Sequence, residues 1–160
     1  SRQYLPEISC GLDDPRVEVL YEDGIKHLKE TRNKYDVILV DSPDPVGPAV
    51  GLFTREFYQS VYDALKEDGL FVAQTESPFF NQDIIPGIFK SIKSVFPITR
   101  MYLAYIPTYP GGIWSFTLGS KDYDPLSTLT QRTPIPTRYY TSRLHRAAFV
   151  LPRYVEELLE

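Results

Sequence analysis

Short apolar runs alternate with amphipathic stretches over most of the chain. The strands that the apolar runs predict are Arg16–Tyr21, Asp36–Asp41 and Leu70–Gln74. The helices that the amphipathic stretches predict are Gly24–Arg32, Arg55–Glu67 and a segment from Asn81 to about Val95. The run at 36–41 is continuous and rich in β-branched side chains, which is typical of a strand buried on both faces of a parallel sheet.

Polar residues, proline and glycine indicate where these helices begin and end. Thr54 and Asn81 are predicted N-caps, because their side chains can accept hydrogen bonds from the free N–H groups of a first turn. Gly69 is predicted to end the middle helix as its C′ residue. Pro86 falls in the first turns of the last helix, where a missing N–H costs little.

The pattern changes in the last third of the chain. Ile98–Ile106 and Ile113–Leu118 predict two strands, and the join between them is too short for a crossover helix, so an antiparallel pair is expected. Asp122–Arg138 is rich in turn residues. Thr141–Phe149 and Pro152–Leu159 predict two short helices, the second with Pro152 at its first position, N1. We expect this tail to pack back on the sheet.

The order β-α-β-loop-α-β-α-β-β predicts an α/β fold with a doubly wound sheet and antiparallel edge strands. Complete nucleotide-binding folds of this kind begin with a strand, a glycine-rich turn and a helix that receives the ligand. No glycine-rich turn follows an early strand here. The chain is therefore predicted to be the second half of a larger enzyme.

Composition excludes several classes of protein. The formal net charge of −4 argues against a nucleic-acid binder, which needs a basic face. The single cysteine, Cys10, excludes an internal disulfide framework, and two distant histidines offer no metal-ligand spacing. No apolar run approaches the roughly 20 residues of a membrane helix. The 14 prolines and 12 tyrosines suit rigid, shaped loops.

Polar side chains follow each of the first three predicted strands, where ligands bind in such sheets. The three sets begin at Glu22, Asp41 and Gln74. Asp41 and Asp44 are the strongest pair, because the prolines after Asp41 limit the loop to a few backbone states. Two carboxylates three residues apart in a stiff loop can converge on one cation.

Each of these residues also has an ordinary structural interpretation. An aspartate at a strand end commonly forms a turn, and Asp23 before Gly24 can cap the following helix. Gln74 can satisfy backbone groups at the strand end, and Tyr109 can be an aromatic at the edge of the core. The functional interpretation depends on all of them facing one edge of the sheet.

The chain resembles the spermidine synthase family of polyamine aminopropyltransferases, bacterial type. The motifs that carry the resemblance are DSPDPVGPA, ALKEDG, QTES, FPI, IPTYPGG and the closing YYTSRLHRAAFVLPRYVEELL. They run in order through nearly the whole chain. The resemblance covers the family's carboxyl-terminal half or somewhat more, so it implies a Rossmann-like, class I methyltransferase-like domain that lacks the N-terminal β domain and the glycine-rich nucleotide loop.

The resemblance implies transfer of an aminopropyl group from decarboxylated S-adenosylmethionine to putrescine. The products are spermidine and 5′-methylthioadenosine, and no metal or further cofactor is needed. Asp41 resembles the catalytic aspartate. The residues that match the diamine site are Asp44, Gln74 and Tyr109. The residues that match the adenosyl side of the donor site are Asp23, Gly24 and Pro48.

Two other functions stay open at this point. One is an S-adenosylmethionine-dependent N-methyltransferase of the same fold, and the other is a non-catalytic polyamine-binding domain, if 160 residues are the whole protein. The activity of the 160-residue chain by itself is also left open. The family resemblance further implies a cytoplasmic homodimer or homotetramer, acting on small molecules and without nucleic-acid or membrane partners.

Overall fold

The computed structural model describes residues 1–127 and 136–160, and four strands there form one sheet. The strands are β1 (Tyr35–Val40), β2 (Leu65–Gln74), β3 (Ile98–Tyr105) and β4 (Ile113–Ser120), in the spatial order β1-β2-β4-β3. Strand β1 pairs with β2 in parallel, whereas β2–β4 and β3–β4 are antiparallel. The predicted antiparallel pair at the end of the sheet is confirmed.

Six α-helices and three 3₁₀ segments accompany the sheet in the described residues. The helices are α1 (Pro6–Ser9), α2 (Gly24–Glu30), α3 (Arg55–Ala64), α4 (Ile85–Lys93), α5 (Ser142–Ala148) and α6 (Arg153–Glu156). The 3₁₀ segments are Cys10–Asp13, Gly47–Phe53 and Glu157–Leu159.

The main core lies between one face of the sheet and the helices α2, α3 and α4. Phe71 on β2 is fully buried, with its ring stacked on Phe96 at 5.6 Å and tilted against Tyr58 at 5.7 Å. The buried positions of α3 recur at helical spacing, as the apolar pattern predicts. Thr54 caps α3 as predicted, since its hydroxyl accepts a hydrogen bond from the Phe57 N–H at 3.2 Å.

The opposite face of the sheet is covered over β3 and β4 by α5. Tyr102 on β3 lies between Phe116 and Phe149, with ring centroids 5.2 and 5.4 Å away. The last turns pack on α4 and β3, where Val155 is fully buried in a second apolar cluster with Met101. The tail therefore packs on the sheet, as expected, and helices lie on both of its faces.

Strand β1 is less buried than its sequence predicts. Val37 is 48% exposed and Leu39 is 73% exposed, although both side chains are apolar. These two residues pair with Leu70 and Val72 of β2, and alternation places them on the face that carries α5 farther along the sheet. The prediction of burial on both faces is wrong for these two positions, because α5 does not reach β1.

Residues Arg16–Tyr21 do not form the predicted strand. They carry no strand assignment, and Tyr21 is 95% exposed. A strand needs a neighbour to receive its N–H and C=O groups. Among the described residues β1 pairs on one side, with β2, and the 16–21 segment joins no ladder.

Two predicted helix ends are also wrong. Helix α3 stops at Ala64 rather than near Gly69, because Leu65 turns extended and pairs with Tyr35. Gly69 lies instead within β2, where an added Cβ would be 2.8 Å from the Cβ of Leu65. At α4 the N-cap is Ile84 rather than Asn81, because residues 81–84 form a turn in which the Asn81 carbonyl accepts hydrogen bonds from the Ile84 and Ile85 N–H groups.

The other proline and turn predictions have mixed outcomes. Pro86 does lie in the first turn of α4. Pro152 is the N-cap of α6 rather than its N1 residue, because its ψ of 147° is extended. The turn-rich prediction for 122–138 is met at Asp124, whose carboxylate accepts from the Leu126 N–H, but residues 128–135 lie outside the described part.

No helix of the described residues is both long enough and apolar enough to cross a bilayer.

Two glycines test how tightly this core is packed. A Cβ added at Gly119 would lie 2.6 Å from the Cγ of Phe96, whereas one added at Gly87 in α4 would meet nothing within 4 Å. We expect Gly119→Ala to lower the free energy of unfolding by about 1–3 kcal/mol through overpacking. Gly87→Ala is the matched control, expected to raise it by about 0.5–1 kcal/mol through helix propensity. Urea unfolding measures both, and equal effects would contradict the tight contact at Phe96.

Candidate functional site

A cavity of about 560 Å³ opens where the carboxyl ends of β1 and β2 meet the loop before β4. Asp41, Asp44, Gln74 and Tyr109 all line it, so the structure brings together the four residues predicted for the reaction and the diamine. The other lining residues are Ser42, Pro43, Glu76, Ser77, Phe80, Asn81, Pro110 and Trp114.

The loop after β1 presents two carboxylates to this cavity. Asp41 and Asp44 are exposed, and both line the opening. The Asp44 carbonyl accepts a hydrogen bond from the Val46 N–H at 2.7 Å, and Gly47 follows with a φ of 58°. A left-handed φ favours glycine, which explains this residue in a loop that must turn sharply into the 3₁₀ segment.

Gln74, the last residue of β2, connects this loop to the rest of the site. Its Nε2 donates to the Ser42 carbonyl at 2.8 Å and to Oε1 of Glu76 at 3.2 Å. Its Oε1 accepts from the indole N–H of Trp114 at 2.5 Å. The amide therefore holds the aspartate loop, the next strand end and β4 in a fixed relation.

Glu76 is a third carboxylate of the cavity, and it is strained and buried. It is 1% exposed and has a φ of 76°, which is rare for a residue with a side chain. Its backbone is held in place because its carbonyl accepts from both the N–H and the hydroxyl of Ser115, at 3.0 and 2.8 Å. Strained backbone that the surroundings hold firmly is concentrated at functional sites.

Electrostatics at Glu76 favour a positively charged occupant. Burial raises the pKa of its carboxyl most, the hydrogen bond from Gln74 lowers the pKa, and the nearby charge of Asp44 raises it. Asp44 carries the same charge as an ionised Glu76 and therefore repels it. A cation between the two carboxylates would compensate both negative charges.

Tyr109 faces the carboxylates from the loop that joins β3 and β4. Its N–H donates to the Ile106 carbonyl at 3.0 Å, and its carbonyl accepts from Gly112 at 3.0 Å. Gly111 and Gly112 have φ values of 78° and 67°, so the turn depends on glycine. The ring packs on Trp114 with centroids 4.5 Å apart and remains about half exposed.

Sequence reasoning did not select Glu76 or Trp114 as site residues. Glu76 lies two positions after Gln74 in the QTES motif, and its membership of a polar set at a predicted strand end was the signal that could have found it. Trp114 carried no comparable signal, because an isolated tryptophan in an apolar strand is typical of a core residue.

The residues predicted for the adenosyl side lie outside this cavity. Asp23, Gly24 and Pro48 are exposed and are not among its lining residues. Asp23 caps α2, accepting from the Ile25 and Lys26 N–H groups at 2.9 and 3.2 Å. Its ordinary structural interpretation is therefore confirmed, and the donor role of all three residues stays a prediction.

The arrangement suits an organic cation. In the described residues no three acidic, histidine or cysteine side chains cluster closely enough to hold a metal ion. Three carboxylates and an aromatic face can instead bind ammonium groups by charge, hydrogen bonds and cation–π attraction. A carboxylate beside an ammonium can also accept its proton.

The raised pKa of Glu76 predicts a pH-dependent stability. Above the ordinary glutamate pKa of about 4.3, the folded state holds the proton more tightly than the unfolded state, so stability falls as pH rises through the folded pKa. We expect Glu76→Gln to raise the melting temperature near pH 7 and to lose this advantage near pH 4.

Thermal unfolding of both proteins from pH 4 to pH 8, without amines, measures this difference. Melting temperatures that differ by a constant amount at all pH values would show that Glu76 does not titrate abnormally.

Comparisons with known proteins agree with this geometry. The model of the family "Spermine/spermidine synthase domain" matches residues 1–130. The polyamine aminopropyltransferases of Caldicellulosiruptor saccharolyticus and Moorella thermoacetica are 63% and 60% identical over the whole chain, which covers 58% and 57% of their lengths. The chain thus spans little more than half of these relatives.

Solved structures show the same fold. A spermidine synthase crystallised with the transition state analogue AdoDATO is 42% identical, with a TM-score of 0.86 over 99% of this chain and 56% of that one. Spermidine synthase from Thermotoga maritima is 41% identical, with a TM-score of 0.82 over 99% of this chain and 54% of that one. The α/β sheet is therefore the Rossmann-like, methyltransferase-like fold of spermidine synthases, and the chain belongs to the spermine/spermidine synthase domain family.

Proposed function

We propose that the protein transfers the aminopropyl group of decarboxylated S-adenosylmethionine to putrescine, giving spermidine and 5′-methylthioadenosine. The observation that supports it is the meeting of Asp41, Asp44 and Glu76 with Tyr109 around one cavity, in a chain of this family. The chain would be the carboxyl-terminal part of the catalytic domain, with the N-terminal β domain and the nucleotide loop outside it.

Asp41 is proposed as the proton acceptor of this reaction. A protonated amine has no free lone pair, so it must lose a proton before it attacks the carbon beside the donor's sulfonium. The nitrogen–carbon bond then forms as the carbon–sulfur bond breaks, and the sulfur leaves as a neutral thioether. Because the sulfonium is already a good leaving group, the chain needs no metal or further cofactor for this step.

The other cavity residues are proposed to hold and align the diamine. Asp44 and Glu76 supply negative charge for the ammonium that does not react. The half-exposed ring of Tyr109 adds a cation–π contribution of roughly 0.5–2 kcal/mol. Alignment of nitrogen, carbon and sulfur in a rigid site would provide most of the remaining acceleration.

The alternatives are less well supported. An N-methyltransferase of the same fold that acts on an amine would need a similar set of carboxylates, but the relatives that match this chain are polyamine aminopropyltransferases. A non-catalytic polyamine-binding domain would share the cavity but show no transfer. A cytoplasmic homodimer or homotetramer, with small molecules as its partners, stays part of the proposal.

Asp41→Asn tests the proton acceptor. In the whole protein that contains this chain, we expect the substitution to lower kcat by roughly 10²–10⁴-fold, because an amide cannot accept the proton. Binding of putrescine should persist, since Asp44 and Glu76 remain. Steady-state assays measure the first effect and calorimetry the second.

The matched control is Asp36→Asn, at the opposite end of β1, where the carboxylate pairs with Lys66 at 2.8 Å. It should leave kcat unchanged. Full activity in Asp41→Asn would remove Asp41 from the mechanism, and activity with S-adenosylmethionine in place of its decarboxylated form would favour the methyltransferase.

Two substitutions at Asp23 separate its capping of α2 from its proposed binding of the donor. Serine is as good an N-cap as aspartate but carries no charge. If the carboxylate also binds the donor, Asp23→Ser should keep the melting temperature within a few degrees and still raise the KM for the donor. Asp23→Ala should lower the free energy of unfolding by about 1 kcal/mol. An unchanged donor KM in Asp23→Ser would leave capping as its whole role.

A further inference from the structure

Trp114 lines the cavity but has no part in the proposed reaction. It is on β4, two residues before Phe116, which pairs with Gln74. Alternation along the strand therefore puts the indole on the same side of the sheet as the Gln74 side chain. The two meet through the indole N–H and the amide oxygen, 2.5 Å apart.

This contact fixes the orientation of the Gln74 amide. The indole N–H is only a donor, so the amide oxygen must face it, and the amide nitrogen must face the other way. Both N–H groups of that nitrogen are taken by acceptors, the Ser42 carbonyl and the Glu76 carboxylate. The second lone pair of the oxygen faces the Glu76 N–H at 3.4 Å.

Gln74 lines the cavity, but its amide groups form their hydrogen bonds with protein partners. Its effect on the site is therefore to fix the positions of those partners. Ser42 lies between the two aspartates of the loop, and Glu76 is a further carboxylate that lines the same cavity. A movement of the Gln74 amide would therefore change the distance between the Asp41–Asp44 loop and the Glu76 carboxylate.

We propose that Trp114 is a positioning residue for diamine length: through Gln74, it sets the spacing between the Asp41–Asp44 loop and the Glu76 carboxylate. This inference rests on the proposed function, because it assumes that Asp41 receives the reacting amine while Asp44 and Glu76 hold the other ammonium group, so that a shift of the loop relative to Glu76 changes the distance between the two amine positions. A fixed spacing would favour one distance between ammonium groups. Putrescine and cadaverine differ by one methylene and are the probes.

Trp114→Phe keeps an aromatic ring against Tyr109 and removes the N–H. We expect it to change the ratio of kcat/KM for putrescine to kcat/KM for cadaverine by roughly threefold to tenfold toward unity, the range for a lost hydrogen bond in the site. The change should appear in the diamine KM, with the donor KM unaltered. Trp114→His, which restores an N–H donor, should recover part of the discrimination.

The controls separate positioning from general damage. Tyr35→Phe removes another hydrogen bond of an aromatic side chain, to His27 at 2.6 Å, away from the cavity, and should leave the ratio unchanged. A merely structural role of Trp114 would lower activity with both diamines equally. If Trp114→Phe does not fold, Gln74→Met removes the same bridge from the other side and is judged by the same ratio.

The outcomes distinguish this inference from the proposed function. Transfer in the unsubstituted protein, with a ratio that stays within twofold in Trp114→Phe, overturns the positioning role alone. No transfer to either diamine from decarboxylated S-adenosylmethionine overturns the proposed function, and the positioning role with it. If the putrescine-to-cadaverine ratio shifts in Trp114→Phe and is partly restored in Trp114→His, both the positioning role and the proposed function are supported.

Discussion

Strand β2 is the element on which the rest of the structure depends. It pairs in parallel with β1 on one edge and antiparallel with β4 on the other, so every part of the sheet is joined through it. Its Phe71 is fully buried between the rings of Tyr58 and Phe96, which ties the sheet to the helical layer. Because the strand is fixed on both edges and one face, its carboxyl end is a rigid base for the site.

The site is built by polar groups that leave this end of β2 in different directions. Gln74 forms hydrogen bonds with the loop after β1 and with the Trp114 indole on β4. The chain then changes direction at Glu76, whose backbone is in the left-handed region. Thr75, Ser115 and Thr117 form a buried hydroxyl network beneath them, with contacts of 3.0 and 3.1 Å. No buried side-chain nitrogen or oxygen of the described residues lacks a partner, so the polar network stabilises rather than weakens this region.

The three carboxylates of the cavity favour a positively charged occupant. Asp41 and Asp44 lie on an exposed loop, whereas Glu76 is enclosed, and the burial of Glu76 together with the charge of Asp44 raises its pKa. Such an arrangement is unfavourable in the empty protein and favourable with a cation in place. Strained and electrostatically unfavourable positions of this kind are concentrated at functional sites.

Local sequence determined the elements whose stabilising groups are close in the chain. Helices α2, α3 and α5, the caps Asp23 and Thr54, and the β3–β4 pair all follow from patterns a few residues long. The convergence of Asp41, Asp44, Gln74 and Tyr109 also followed, because strand ends of such a sheet meet at one edge and the family motifs mark the same positions.

Tertiary structure decided everything that needed a distant partner. The 16–21 segment has strand-like composition but no neighbour among the described residues, and Leu39 has an apolar side chain but no covering layer. Glu76 and Trp114 became site residues through hydrogen bonds to Gln74, one of them from 40 residues away. A pattern along the chain records which side chains share a face, but only packing of the strands decides which of them touch.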